Sequence, residues 1–380
     1  MDDILKEFDD IRPYLEDEIP EAMKRIANHP YFKNSAEFVF PDKNVEDIRT
    51  MVENITSCAE FQRNVMSRVN RSIIEKTCTG FKCTGIEHIN PEQNHLFISN
   101  HRDIMLDASL LCYCLFNNGI NTPEITFGAN LMQGDFIIDI GKSNKMFRVE
   151  RPSSDFHEFI HQSRHLSDYI RFTIGKKGQS VWMAQRNGRT KDGTDRTDQG
   201  IIRMLAMSRS NSLPESISSL HIVPVSISYE WEPCDILKAC ELSAAMSGPY
   251  VKKPGEDLNS ILTGILQPKG RVHLSFCESI SEEDLKDFSH LPHNVFCKET
   301  AFLIDRRICS SYLLFPNNYI AHDMRDGNSR FAKSYTESEK EQFQYHLEEL
   351  LKNHPDRETI RKLLLGIYAN PVDSKSLFEQ

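Results

Sequence analysis

Apolar residues in the first 75 positions recur at helical spacing. Ile4, Phe8, Ile11 and Tyr14 fall on one face of a 3.6-residue repeat, and Val45–Val69 carries a second amphipathic pattern. Prolines at 13, 20, 30 and 41 cut this stretch into short pieces, so 1–75 is predicted as a helical N-terminal region. From about residue 80 the texture changes. Phe81–Ile89 reads as a strand, Asn90–Asn94 as a turn, and Leu96–Ser99 as a short buried strand. A helix is predicted over Asp107–Phe116, with further strands at Glu124–Ala129, Ser180–Ala184, His221–Tyr229 and Arg271–Phe276. Strand alternating with helix predicts an α/β domain over 76–285, a mostly parallel sheet flanked by helices. Near Ser281 the pattern turns helical again. Residues 286–380 are predicted to be mainly helical, closing on amphipathic helices at Glu337–Asn353 and Arg357–Tyr368. No internal repeat or low-complexity segment interrupts this order.

Composition narrows the class. The 380 residues are 39% hydrophobic and 26% charged, ordinary for a globular chain. No stretch reaches the roughly 18–20 uncharged apolar residues of a spanning helix; the most apolar run is Ala108–Phe116. The acidic, mixed start (Met1–Glu7) does not read as a secretory signal. Ten irregularly spaced cysteines fit reduced thiols in a cytoplasmic setting, and neither Cys78/Cys83 nor Cys112/Cys114 has zinc-pair spacing, so no metal site is expected. A net charge of −10 argues against nucleic acid as a partner. Within this acidic chain, Lys142–Arg209 holds 14 Lys/Arg against 7 Asp/Glu. That basic island is the footprint of an anionic ligand or lipid headgroup, set against the plainer reading of a solvated surface.

The most informative segment is Ile98-Ser99-Asn100-His101-Arg102-Asp103-Ile104-Met105-Leu106-Asp107. A buried strand ends in Asn-His-Arg-Asp and an apolar helix follows, and ligands of open α/β sheets sit at the carboxyl ends of strands. His101 can take a proton from a hydroxyl near neutral pH, the more so with a carboxylate to fix its tautomer. Asp103 and Asp107 are both candidates for that partner. Alone, the segment reads equally as a helix-capping turn with an incidental histidine.

Three later segments add weight. Lys145–Pro152 alternates cations with apolar residues, and Trp182–Gly193 runs from a strand into a Gly-containing turn bearing Arg186, Arg189 and Lys191. Arginine forks and turn amides together suit a phosphate. Ile222–Glu230 is a buried strand interrupted by Pro224. Over about residues 80–280 this ordered set resembles the glycerophospholipid acyltransferase superfamily, most of all its bacterial membrane-associated glycerol-3-phosphate acyltransferases. Asn100–Asp107 is similar to that family's first block, Phe147 and Arg151 to its second, Gly188-Arg189-Thr190-Lys191-Asp192-Gly193 to its third, and Pro224 with Tyr229-Glu230 to its fourth. Gly128-Ala129-Asn130-Leu131 also looks familial. Two departures stand out. Leu106 occupies the place of the family's Asp five after the His, which leaves Asp107 preferred over Asp103. Gln185 and Arg186 stand where the family carries a Glu before its glycines, which puts the acceptor alcohol in question.

The resemblance implies an O-acyltransferase of phospholipid synthesis, with His101 as base and Asp107 or Asp103 as its partner. Arg102, Arg151, Gly188, Arg189, Lys191 and Pro224 would then form the acceptor site, and amides near Gly188 or at the start of the Asp107 helix could stabilise the oxyanion. The acyl donor would be acyl-CoA, acyl-carrier-protein or an acyl phosphate, with no cofactor. The acceptor would be glycerol 3-phosphate, a related phosphorylated alcohol, or a lysophospholipid. The expected location is cytoplasmic, peripheral on the inner face of the membrane. A non-catalytic lipid-binding protein of the same fold is the alternative from another class. His157, His161 and His165 share a helical face but read as surface residues. Asp305–Ile320, cationic then aromatic, offers either a membrane-docking stretch or ordinary packing.

Overall fold

The computed structural model describes residues 2–151, 153–208, 212–248 and 250–379; Pro152 and Arg209, the last residues of two segments discussed above, lie outside them. A seven-stranded sheet forms the centre: β1 (Cys78–Thr84), β2 (Leu96–Ser99), β3 (Glu124–Gly128), β4 (Met146–Val149), β5 (Val181–Ala184), β6 (Ile222–Tyr229) and β7 (Gly270–Phe276). The order across the sheet is β1-β7-β6-β2-β5-β3-β4. Every neighbouring pair is parallel except β6 with β7, so β1 and β7 run against the other five. The fold is therefore α/β with a mostly parallel sheet, and helices extend it at both ends.

Alternation along the strands divides the core between the two faces of the sheet. Leu96 and Ile98 join Val181, Met183, Ile222 and Phe147 on one face, covered by helices Phe156–Phe172 and His293–Ser311. Phe97 joins Trp182, Val223, Val225 and Ile227 on the other, covered by the helix Leu106–Asn117. That helix is buried on nearly every position, which is why its sequence lacks a polar stripe.

Several elements differ from their predicted bounds. β1 ends at Thr84 because Gly85 turns with φ +74°, where a Cβ would lie 1.9 Å from the Phe276 carbonyl oxygen; Ile86–His88 is a single tight turn. Of the helical pattern through Tyr14, only Asp2–Lys6 is helix. Beyond it Phe8 and Ile11 enter the main core, and the Ile11 carbonyl accepts the Arg148 amide at 2.9 Å, covering the outer edge of β4. The last helix runs Arg357–Ser376 through Pro371, eight residues past the prediction, because it lies buried against Pro316–Asp326 and Asp235–Met246. Tyr312, Phe315 and Ile320 are buried, so the aromatic stretch considered for membrane docking packs into the molecule instead. Among the described residues no helix is long and apolar enough to cross a membrane.

Candidate active site

His101 follows directly from the carboxyl end of β2. Asn100 holds that end in place: its Oδ1 accepts the Ile227 amide at 2.8 Å and its Nδ2 donates to the Ile227 carbonyl at 2.9 Å, continuing the β2–β6 pairing through a side chain. The imidazole Nδ1 of His101 lies 2.9 Å from Asp107 Oδ2. The same oxygen accepts the amides of Arg102 at 2.7 Å and Asp103 at 3.0 Å, while Asp107 Oδ1 accepts the Tyr229 hydroxyl at 2.8 Å. Burial first, and the Asp107 charge next, hold the Tyr229 phenol well above its usual range, so it stays a donor. The imidazole is 12% exposed and Asp107 fully buried, which leaves the histidine as the edge of the pair that reaches solvent.

Asp103 takes a different place. Its Oδ1 accepts the Met105 and Leu106 amides at 2.9 and 2.8 Å, capping the helix that carries Asp107. Burial, then the neighbouring Asp107, raise its carboxyl above the normal range. Of the two acids open from the sequence, Asp107 meets the imidazole and Asp103 caps the turn. Together they occupy the amides of Arg102, Asp103, Met105 and Leu106, so these are not free for another anion.

Arg102 was expected on the acceptor and lies elsewhere. It is completely buried, with Nη2 donating to Asp195 at 2.6 Å and to the Gly193 carbonyl at 3.1 Å, and Nη1 to Glu232 at 3.3 Å. Lys238, also fully buried, bonds Glu232 and the Arg102 carbonyl, both at 2.6 Å. Two cations and two carboxylates thus form a closed, paired network behind the histidine. Burial drives its arrangement: three of the four members come from segments whose sequence carries no motif.

The 185–198 loop arches over this network. Its Thr190 amide donates to the His101 carbonyl at 2.8 Å. Gly193 turns with φ +79°, and a Cβ there would lie 2.1 Å from the Ile367 carbonyl oxygen, so the C-terminal helix admits only glycine. Gly188 also has positive φ and is exposed. Arg189 is 5% exposed; its Nη2 donates to Ser260 Oγ at 2.9 Å and Glu241 Oε1 at 3.1 Å, and its guanidinium also lies against the Cys234 thiol. Lys191 pairs with the other oxygen of Glu241. Burial, then the cations of Lys252 and Arg189, pull Lys191 down to about 8. Arg151 is exposed and donates to Asn130 Oδ1 at 3.0 Å; Asn130 in turn donates to Asp257 at 2.9 Å. Pro224 is buried within β6 opposite Ile98, a sheet position apart from these cations.

Helix Glu256–Leu266 ties the two halves together. Ser260 meets Arg189, and one turn later Gly264 abuts Asp103, where a Cβ would sit 2.1 Å from the carboxylate. The sequence pointed to His101, Asp107, Arg189 and Lys191, which the fold does bring to one region. It did not point to Glu241, Ser260, Asp195, Glu232 or Lys238, and Tyr229 was visible only as part of a familial block. His157, His161 and His165 lie apart on helix Phe156–Phe172, where His165 bonds Asp10 and stacks with His161.

Residues 80–228 match the acyltransferase family model. The glycerol-3-phosphate acyltransferase of Pseudomonas putida (strain W619) is 26% identical over 220 residues, which cover 54% of this chain and 24% of that protein. That of Pseudomonas syringae pv. tomato is 27% identical over 210 residues, covering 53% and 23%. The chain thus spans about a quarter of the length of the curated relatives it matches. Among solved structures, the 1-acyl-sn-glycerophosphate (LPA) acyltransferase PlsC of Thermotoga maritima aligns over 75% of this chain and 98% of that one, at 12% identity and a TM-score of 0.38. The matched segment, residues 80–228, holds β2, His101, Asp107 and the Arg189 loop.

Proposed function

We propose that the protein moves a fatty acyl group from an acyl thioester, or an acyl phosphate, to the hydroxyl of glycerol 3-phosphate or a related phosphorylated alcohol. The observation that carries this is the His101–Asp107 pair, 2.9 Å apart at the carboxyl end of a central strand inside the matched segment. Asp107 holds the proton on Nδ1 and leaves Nε2 as the base. Nε2 takes the acceptor's hydroxyl proton as the oxygen attacks the acyl carbonyl. The carbon–sulfur (or phosphate–acyl) bond then breaks, and the imidazolium returns its proton to the leaving group. Arg189 and Lys191 hold the acceptor's anion, with Arg151 at the rim. Arg102, closed inside its own network, positions the turn rather than touching substrate. With the first-turn amides occupied, amides around Gly188 are assigned to the oxyanion.

Donor and acceptor meet at a bilayer surface in this reading. Supporting it, Met246 and Val251 are 72% and 81% exposed, and Leu258, Leu262 and Leu266 line the outer face of the helix whose inner face meets Arg189 and Asp103. Lys253 stands beside them, an apolar face with a cation next to it being what an anionic interface attracts, while Lys252 is ion-paired with Asp257.

The test is acyl transfer from labelled acyl-CoA, acyl-carrier-protein or acyl phosphate to glycerol 3-phosphate and to lysophosphatidate. His101→Ala should lose at least about 10²–10⁴-fold in kcat with an unchanged melting temperature. Near wild-type turnover by that variant sinks the mechanism, and no transfer to any acceptor leaves the lipid-binding alternative.

A further inference from the structure

The N-terminal helical region carries a cleft that acyl transfer does not use. It has a volume of about 260 Å³ and opens between Phe40–Lys43 and helix Ser67–Thr77. Lys43, Arg68, Arg71 and Lys76 line it against only two carboxylates, Asp42 and Glu75, and all six side chains are exposed. A chain of net charge −10 thus presents a local positive excess there. Among the described residues none of the four cations is closed in an ion pair, whereas the neighbouring Lys33 and Arg49 are paired with Glu37 and Glu46. Aromatic rings hold three of the cations in place. The Lys43 ammonium and the Arg68 guanidinium each lie 5.7 Å from the centre of the buried Phe40 ring. Lys76 Nζ lies 4.4 Å from the centre of the Phe38 ring and donates to the Phe38 carbonyl at 3.1 Å. Cations held in this way lose less freedom when an anion arrives.

The cleft's place in the fold selects the ligand. β1 follows helix Ser67–Thr77 directly and runs against β2, so the helix ends at the edge of the sheet where His101 stands. Beside it packs helix Glu256–Leu266, which exposes Leu258, Leu262 and Leu266. A cationic cleft next to an exposed apolar row suits a surface that is both charged and apolar, and a free phosphate gains nothing from the leucines. We infer that the cleft is a second anion site, which takes the phosphate of an anionic phospholipid in the bilayer and is distinct from Arg189 and Lys191. This rests on the reading of the Leu258, Leu262 and Leu266 face as the side toward the bilayer. A lipid held there fixes the sheet edge that carries His101 against the membrane.

The experiment is flotation of the full chain with phosphatidylglycerol vesicles and with phosphatidylcholine vesicles at fixed ionic strength. Wild type should favour phosphatidylglycerol. Arg68→Gln combined with Arg71→Gln should weaken that binding on the order of thirtyfold, with binding to phosphatidylcholine and the melting temperature unchanged. Lys298→Gln combined with Lys333→Gln removes two exposed cations elsewhere and should weaken it by less than about threefold. Equal losses in the two double variants would mean that overall charge attracts the vesicle, and the site is wrong. Leu258→Ser with Leu262→Ser and Leu266→Ser tests the bilayer face separately: unchanged flotation removes that face, whereas the cleft stands or falls with the arginine pair. The arginine variant also separates the other occupants. If it keeps full vesicle binding but loses the thermal stabilisation that inorganic phosphate gives wild type, the cleft takes free phosphate. If it keeps vesicle binding and loses transfer from acyl-carrier-protein but not from acyl-CoA, an acidic protein docks there. Either result overturns the lipid site.

Discussion

Asp107 receives four hydrogen bonds, from an imidazole, two amides and a phenol, and this convergence explains how one carboxylate both shapes a turn and orients a base. Asp107→Asn keeps the shape but can present an N–H to Nδ1, favouring the wrong tautomer. Its kcat should fall roughly 10²–10⁴-fold with little change in KM, measured under saturating donor. Tyr229→Phe removes one donor to the carboxylate and should cost about tenfold in kcat; an equal loss in both variants would mean that the phenol acts on substrate directly. Lys191 makes a pH prediction. With its ammonium lowered to about 8, it is charged below that pH and neutral above it. Acceptor KM should therefore rise as pH increases through about 8, while Lys191→Arg stays flat across that range because a guanidinium does not titrate there. At this scale residue type and spacing marked His101 with two candidate acids, and the familial blocks marked Arg189 and Lys191 and favoured Asp107. Spacing alone left Asp103 open, because Asp103 and Asp107 differ only in where one turn points their oxygens.

Among the elements, helix Glu256–Leu266 has the most demanding position. It carries Ser260 against Arg189 and Gly264 against Asp103, so its approach is set by the smallness of one residue. Gly264→Ala places a methyl group 2.1 Å from a buried carboxylate oxygen that meets no hydrogen-bond partner among the described residues. The substitution should destabilise the fold by about 1–3 kcal/mol, read from thermal or denaturant unfolding. It should also lower kcat, since the displaced Asp103 caps the turn that carries Asp107. Unchanged stability would show that the helix can shift outward freely. The strands at Leu96–Ser99 and His221–Tyr229 were recognisable from short runs rich in apolar and β-branched residues, as expected for strands buried on both faces. β4 was not predicted from periodicity: at four residues it is too short to show a repeat, and it was visible only as a familial block. The overrun of the last helix through Pro371 has a tertiary cause, its burial between two other helices.

Over the whole molecule, the additions outside residues 80–228 complete the site rather than decorate it. The C-terminal helix presses on Gly193, its Tyr368 hydroxyl bonds Asp235 at 2.8 Å, and the Glu232 amide donates to that same hydroxyl at 3.1 Å. The exposed Leu258, Leu262 and Leu266 face makes a prediction at this scale. Replacing all three by Ser should reduce flotation with anionic vesicles while leaving transfer to a soluble acceptor within about threefold of wild type; equal flotation of both proteins would remove the bilayer from that face. The sequence by itself determined the α/β class, the strand that ends at His101, and the basic loop after β5. These follow from local hydrophobic period and residue chemistry, which need no knowledge of distant partners. Tertiary structure alone decided that Arg102 closes into a buried network, that Asp107 rather than Asp103 meets the imidazole, and that Glu241 shares the cations of the loop. Each of those outcomes depends on side chains brought together from far along the chain, where desolvation and charge pairing, not local pattern, choose the partner.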